Sequence, residues 1–256
     1  MSGFTGKVVI VTGASQGIGK ALCLALAEQR PRLVLAARDE AKLSEVAEEC
    51  RKKGADVLVV PTDVSSPEQC LALVQKTLER FVVLDVLVNN AGISMIARFD
   101  EIQDLGIFER LMKVNYLGYV YPTYHALPAL KQSRGLIVAI ASLAGLTGVP
   151  TRTAYAASKH AVFGFFDSLR IELRGTGVDV TVVAPGFVLS EIHRRSTGPD
   201  GQPLGKSPLQ ESAILSAEEC AARIVAAMTR RKRLSVLTVR GKLGRFVRLI
   251  APGLID

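Results

Sequence analysis

Short apolar, β-branched runs recur along this chain, and each is followed by a longer stretch with helical spacing of its apolar positions. The pattern predicts strands over 8–12, 33–37, 57–61, 85–89, 136–142, 178–184 and 234–239. Between them it predicts helices over 18–30, 40–53, 67–81, 102–131, 154–174 and 217–228. The strand runs are almost continuously apolar and do not alternate with polar residues, as expected for strands covered on both faces. Strands alternating with helices imply βαβ units, and right-handed crossovers close these into one α/β domain. The expected architecture is a doubly wound parallel sheet of seven strands with helices on both faces. Glycine and proline crowd residues 196–208, which reads as a loop.

Composition narrows the class. The chain has 256 residues, 48% of them hydrophobic and 22% charged, enough apolar surface to build one large core. Cys23, Cys50, Cys70 and Cys220 have neither disulfide-framework nor metal-ligand spacing, so they read as small buried hydrophobes in a reducing compartment, and no metal site is expected. The uncharged stretches are interrupted by Pro, Gly, Ser or Thr and do not read as membrane spans. The run at 8–11 gives way at once to Gly13, which does not read as a signal peptide. A cytoplasmic protein is expected. The formal net charge is +8, yet residues 230–256 hold eight basic residues and one acid, a net +7. The charge is therefore local to the tail. Residues 1–240 read as the nucleotide-binding domain and 241–256 as a basic amphipathic segment.

The first chemistry lies at the first strand–helix junction. Gly13, Ser15, Gln16, Gly17, Ile18 and Gly19 make a glycine-rich turn there. Glycines let a pyrophosphate approach backbone N–H groups at a helix N-terminus, as in Rossmann-type domains. A site that reads a ribose diol wants an acid at the end of the second strand. Here that strand ends Leu35-Ala36-Ala37-Arg38. A guanidinium suits a 2′-phosphate, so NADP(H) is expected over NAD(H). The alternatives are a solvated Arg38 and a part played by Asp39.

With these residues the chain resembles the classical short-chain dehydrogenase/reductase family, over 7 to about 239. The family's glycine motif stands as Thr12 to Gly19, its adenine-side acid as Asp63 with Val64, and its NNAG as Asn89, Asn90, Ala91 and Gly92. Its catalytic set matches Asn115, Ser142, Tyr155 and Lys159, and its Pro-Gly matches Pro185 and Gly186, followed by Val188 and Ser190. The resemblance implies a ketone–alcohol oxidoreductase. A tyrosine titrates near 10. An ammonium four residues along the same helix face is expected to stabilise its phenolate and lower that value. By resemblance, Lys159 holds the nicotinamide ribose, Ser142 bonds the substrate oxygen, and Asn115 positions a relay water. His125, His160 and His193 have no partner spacing and are not expected to act as bases.

The substrate end is expected to draw on Ser142, Leu143, Val149, Phe187, Ile93, Met95 and a loop over 187–215, mostly apolar and without an obvious carboxylate clamp. His193, Arg194 and Arg195 remain alternatives for an anionic group. Residues 108–112 and 115–122 look like the branch holding 3-ketodihydrosphingosine reductases. Residues 142–145, 165–166 and 218–220 look more like 11-beta-hydroxysteroid dehydrogenases. Both imply a lipophilic carbonyl or alcohol substrate. The N-terminal anchor common in such proteins is not expected here. In the tail, Leu243, Phe246, Val247 and Ile250 would share one helix face, with Lys242, Arg245 and Arg248 largely elsewhere. Such a helix fits an anionic bilayer, a subunit surface or a partner chain. The resemblance also implies a homodimer or homotetramer through the helices over 102–131 and 154–174. Phe163, Phe165 and Phe166 suit such packing or the monomer core. NAD(H)-dependent alcohol dehydrogenation, 3-oxoacyl reduction and a cofactor-sensing regulator stay open as alternatives. Nucleic-acid binding is not expected, because no aromatics interleave the Arg230–Arg233 cluster.

Overall fold

Val8 to Thr12 form a strand in which every residue is buried, as a two-sided apolar run requires. A computed structural model describes residues 3–189, 192, 194–205 and 214–254. Among these, seven strands make one parallel sheet. They are β1 (Val8–Thr12), β2 (Arg32–Ala37), β3 (Asp56–Pro61), β4 (Val86–Asn89), β5 (Leu136–Ile140), β6 (Asp179–Ala184) and β7 (Leu234–Val236), in the order β3-β2-β1-β4-β5-β6-β7. The order reverses between β1 and β4, so their C-terminal ends frame a crevice of the kind that takes ligands in such sheets.

The helices are α1 (Gly17–Ala27), α2 (Glu40–Lys52), α3 (Pro67–Phe81), α4 (Gly106–Met112), α5 (Gly118–Ser133), α6 (Thr153–Glu172), α7 (Ala217–Thr229) and α8 (Val239–Ile250). Alternate strand residues enter opposite cores. Val9, Val11, Leu33 and Leu35 pack with Leu22 and Leu26 of α1, Leu43 of α2 and Ile224 of α7. Val8, Ile10, Val34 and Ile137 pack with Leu73 of α3, Tyr119 of α5 and Phe166 of α6. Each large apolar side chain buried this way contributes about 2 kcal/mol. All four cysteines are buried thiols, as expected. Phe166 is wholly inside the monomer core, with Phe163 and Phe165 packed against it, so these rings take part in the monomer's own packing.

The helix expected over 18–30 ends at Ala27, and three further boundaries differ from the sequence pattern. The helix expected over 102–131 begins at Gly106 and contains a π-helical turn, Lys113–Leu117, between α4 and α5. π-Turns of this kind are often found at functional sites. The strand expected over 136–142 ends at Ile140, because Ser142 caps a short 3-10 turn, Leu143–Gly145. The strand expected over 234–239 ends at Val236, because the Thr238 hydroxyl accepts from the Gly241 N–H and starts α8. The proposed boundary at 240/241 thus falls inside a helix. Within the loop expected over 187–215, positions 190, 191, 193 and 206–213 lie outside the described residues, Ser190 and His193 among them.

Candidate active site

The glycine-rich turn sits at the C-terminal end of β1. Asp39, Ser66, Ser216 and Thr238 cap α2, α3, α7 and α8 through their side chains. α1 has no such cap, and its Gln16 is extended. Its first-turn N–H groups are therefore available to an anion. A Cβ on Gly19 would stand 2.0 Å from the Gly13 carbonyl oxygen, so no other residue fits there. The turn is also tied to the end of β4. The Asn90 and Ala91 N–H groups donate to the Thr12 hydroxyl at 2.9 and 3.1 Å, and the Asn90 amide donates to the Thr12 carbonyl at 2.9 Å. The two motifs form one floor, in the crevice where the strand order reverses. These residues fit a dinucleotide pyrophosphate.

At the end of β2, Arg38 is exposed. Asp39 accepts from the Lys42 N–H at 3.1 Å and pairs with its ammonium at 3.3 Å. The Lys42 N–H chiefly holds the Asp39 carboxyl below its usual range, with Arg195 adding a smaller attraction. The acid is thus engaged with its own helix, and two cations lie around it. Asp63 accepts from the Ser65 N–H and hydroxyl at 2.9 and 2.7 Å, with Val64 buried beside it. On the opposite rim, the Pro185 carbonyl accepts from the Leu143 N–H at 2.9 Å, which joins the Pro185-Gly186 turn to the turn after Ser142. Val188 is buried beyond it and bridges to Leu215.

The catalytic candidates converge from three elements: the 3-10 turn after β5, α6 and the π-turn. Ser142 is held by the 3-10 turn, its hydroxyl accepting from the Ala144 N–H at 3.2 Å. That turn rests on α6, since a Cβ on Gly145 would meet the Lys159 carbonyl at 2.6 Å. The Ser142 hydroxyl acts on the Tyr155 phenol, drawing its titration down. One helical turn on, Lys159 is buried and donates to the Ile140 carbonyl at 3.0 Å and the Tyr119 hydroxyl at 3.3 Å. Its ammonium lies 5.9 Å from the Tyr155 ring centre. Burial pulls Lys159 from 10.5 down to about 7. Burial also pushes Tyr155 upward, with Ser142 and Arg152 pulling against it. The groups that lower the phenol here are thus Ser142 and Arg152, and burial is the largest influence on both members of the Tyr155–Lys159 pair.

Asn115 is fully buried in the π-turn. Its amide accepts from the Ile93 N–H at 2.8 Å and donates to the Ile93 carbonyl and the Ser158 hydroxyl, both at 3.0 Å. It therefore locks the turn after Gly92 against the catalytic helix. The imidazole of His160 contacts the Ala156 carbonyl one turn back, away from the site. Among the described residues, no group of three or more His, Cys, Asp or Glu side chains is placed to hold a metal ion.

At the substrate end, Leu143 and Val149 are partly exposed and Phe187 is 48% exposed. Met95 is different: it is fully buried against Ala97, Ile107 and Leu111, so it backs the site and does not line it. Two participants were missed by the sequence reading. Tyr119 links Lys159 to β5 through its hydroxyl, which donates to the Ile140 carbonyl at 2.8 Å; its spacing of four from Asn115 was the available signal. Arg152 is buried beside Tyr155, its guanidinium 5.9 Å from that ring centre.

A family model described as short chain dehydrogenase matches residues 7–199. The 11-beta-hydroxysteroid dehydrogenase-like 4A protein of Arabidopsis thaliana is 43% identical over 228 residues, covering 89% of this chain and 75% of that protein. An 11-beta-hydroxysteroid dehydrogenase of Pinus massoniana is 37% identical over 258 residues, covering 98% and 72%. The 11-beta-hydroxysteroid dehydrogenase A of Sesamum indicum is 46% identical over 188 residues, covering 73% of this chain and 54% of its own length, so the chain spans about half of that relative. Among solved structures, a short chain dehydrogenase/reductase of Burkholderia phymatum in complex with NAD superposes with a TM-score of 0.87 at 28% identity, covering 99% of this chain and 96% of its own. An alcohol dehydrogenase of Thermococcus sibiricus complexed with 5-hydroxy-NADP gives 0.77 at 29% identity, covering 90% and 94%.

Proposed function

This chain belongs to the short chain dehydrogenase family, whose members are nicotinamide-dependent oxidoreductases, and on that premise we propose that it interconverts a ketone and a secondary alcohol on a lipophilic substrate, using NADP(H). The observation that carries the reading is the convergence of Ser142, Tyr155 and Lys159 beside the floor built by the glycine-rich turn and Asn90. When bound, a reduced nicotinamide supplies the hydride. Ser142 and Tyr155 hold the substrate oxygen, and the Tyr155 hydroxyl gives it a proton as the alkoxide develops. Lys159, held by Ile140 and Tyr119 and close to its own titration at neutral pH, replenishes that proton. In the oxidative direction each transfer is reversed. Asn115 keeps the π-turn and Ile93 in register with α6.

Arg38 and the engagement of Asp39 with α2 support the 2′-phosphate reading. The relatives' names, together with Leu143, Val149 and Phe187, support a lipophilic substrate. α8 packs over this end: Gly241 lies against Leu143, and Arg248 donates to the Leu146 carbonyl. Its outer face exposes Leu243, Phe246, Leu249 and Ile250 beside Lys242 and Arg245. We place a peripheral contact with an anionic bilayer there, next to the substrate end. No helix among the described residues is long and apolar enough to cross a membrane. A cytoplasmic homodimer or homotetramer completes the proposal.

The test is a paired titration with NADPH and NADH, followed by nicotinamide fluorescence. NADPH should bind at least tenfold more tightly, about 1.4 kcal/mol, and Arg38→Leu should erase the difference. Equal or tighter NADH binding overturns the cofactor assignment and directs the search to secondary alcohols with NAD.

A further inference from the structure

Among the described residues, Arg152 is an ionised side chain in the interior without an ionised partner. It is 6% exposed, at the N-terminal boundary of α6, three residues before Tyr155. A guanidinium has five N–H donors. Here Nη1 donates to the Ser94 hydroxyl at 2.6 Å. Among the described residues no other hydrogen bond of the guanidinium is found, and no Asp or Glu pairs with it. A buried cation in this condition is destabilising until a counter-charge reaches it.

Its surroundings say where such a charge would arrive. The guanidinium carbon lies 5.9 Å from the centre of the Tyr155 ring and 5.7 Å from that of Phe187. One ring carries the proton-transferring hydroxyl of the proposed reaction. The other belongs to the rim expected to meet substrate. A cation wedged between them, with planar donors to spare, matches the geometry of a carboxylate.

We propose that Arg152 is a specificity-determining residue that binds a carboxylate carried by the substrate a few bonds from the reacting carbon. This deepens the oxidoreductase reading and rests on it. The preferred substrate class then becomes an oxo- or hydroxy-acid with a lipophilic chain: the acid reaches Arg152 and the chain follows Leu143, Val149 and Phe187.

The probes are 4-oxononanoate and its methyl ester, each reduced by the full chain with NADPH. The wild type should favour the acid by about tenfold or more in kcat/KM, mainly through KM. Arg152→Gln, which can keep the Ser94 hydrogen bond, should bring the acid-to-ester ratio of kcat/KM close to one, the acid losing about tenfold more than the ester. Arg152→Lys should restore part of the preference. An acid preference that survives Arg152→Gln, as when acid and ester fall by the same factor, overturns the proposal. Nonanoate binding to the chain with NADP present, by calorimetry, separates the two layers. If wild type reduces neither ketone yet binds nonanoate in an Arg152-dependent way, the oxidoreductase reading fails and the anion site stands. If it reduces the ester as readily as the acid, the oxidoreductase reading stands and the carboxylate site falls.

Discussion

Replacing Lys159 by methionine tests the electrostatics of the site without any substrate. Lys159 is buried, and its proton affinity falls from 10.5 to about 7 by desolvation. Between those values the unfolded chain binds a proton that the folded chain largely releases, so this group makes stability rise with pH across that window. At about 1.4 kcal/mol per decade of proton affinity, the cost to the folded state is roughly 5 kcal/mol in acid. It declines to roughly 4 kcal/mol at about pH 7 and roughly 2 kcal/mol at about pH 9. Methionine keeps the length of the stem and removes the titration. It also leaves the Ile140 carbonyl and the Tyr119 hydroxyl without that donor, a cost of about 1–3 kcal/mol that is the same at both pH values. The diagnostic quantity is therefore the change in the difference between variant and wild type. Urea unfolding of both proteins at about pH 7 and about pH 9 should show the wild type gaining about 2 kcal/mol on Lys159→Met as pH rises. A difference that stays constant to within a few tenths of a kcal/mol would refute the reasoning.

Other expected outcomes follow from single contacts. Gly19→Ala should lose folding or cofactor binding, read by circular dichroism and NADPH fluorescence, because its Cβ meets the Gly13 carbonyl at 2.0 Å. Ser216→Ala removes one side of the Ser216–Glu219 capping box and should lower stability by about 1 kcal/mol in urea unfolding, with cofactor affinity unchanged. Phe246→Asp with Leu249→Asp should abolish co-sedimentation with phosphatidylserine vesicles and leave NADPH binding intact; retained sedimentation would remove α8 from the membrane proposal.

The sheet and the glycine-rich turn after β1 were legible because their signals are local. A two-sided apolar run followed by Gly13, Gly17 and Gly19 carries its own geometry, and Asn90 docks onto it at the next strand in space. What stayed hidden depends on contacts distant in sequence. The π-turn forms where the Asn115 amide engages Ile93, and nothing in the helical pattern of 102–131 marks it. The phenol of Tyr155 looked like a group governed by its lysine, but burial acts on both, and the ammonium is oriented by Tyr119 and Ile140. Nothing in the sequence marks Arg152 as a buried residue. Its burial becomes visible only when Ser94 and Phe187 close around it. The premature end of β7 at Val236 reflects the Thr238 cap, whose three-residue spacing to Gly241 lies inside a run that otherwise reads as a strand.

Tyr155 is the proposed proton-transferring group, and Tyr155→Phe tests that most directly. Wild type and variant are compared for NADPH binding by fluorescence and for ketone-dependent loss of nicotinamide absorbance. Cofactor affinity should be unchanged and turnover reduced by about 100-fold or more. Turnover retained within a few-fold of wild type would contradict it.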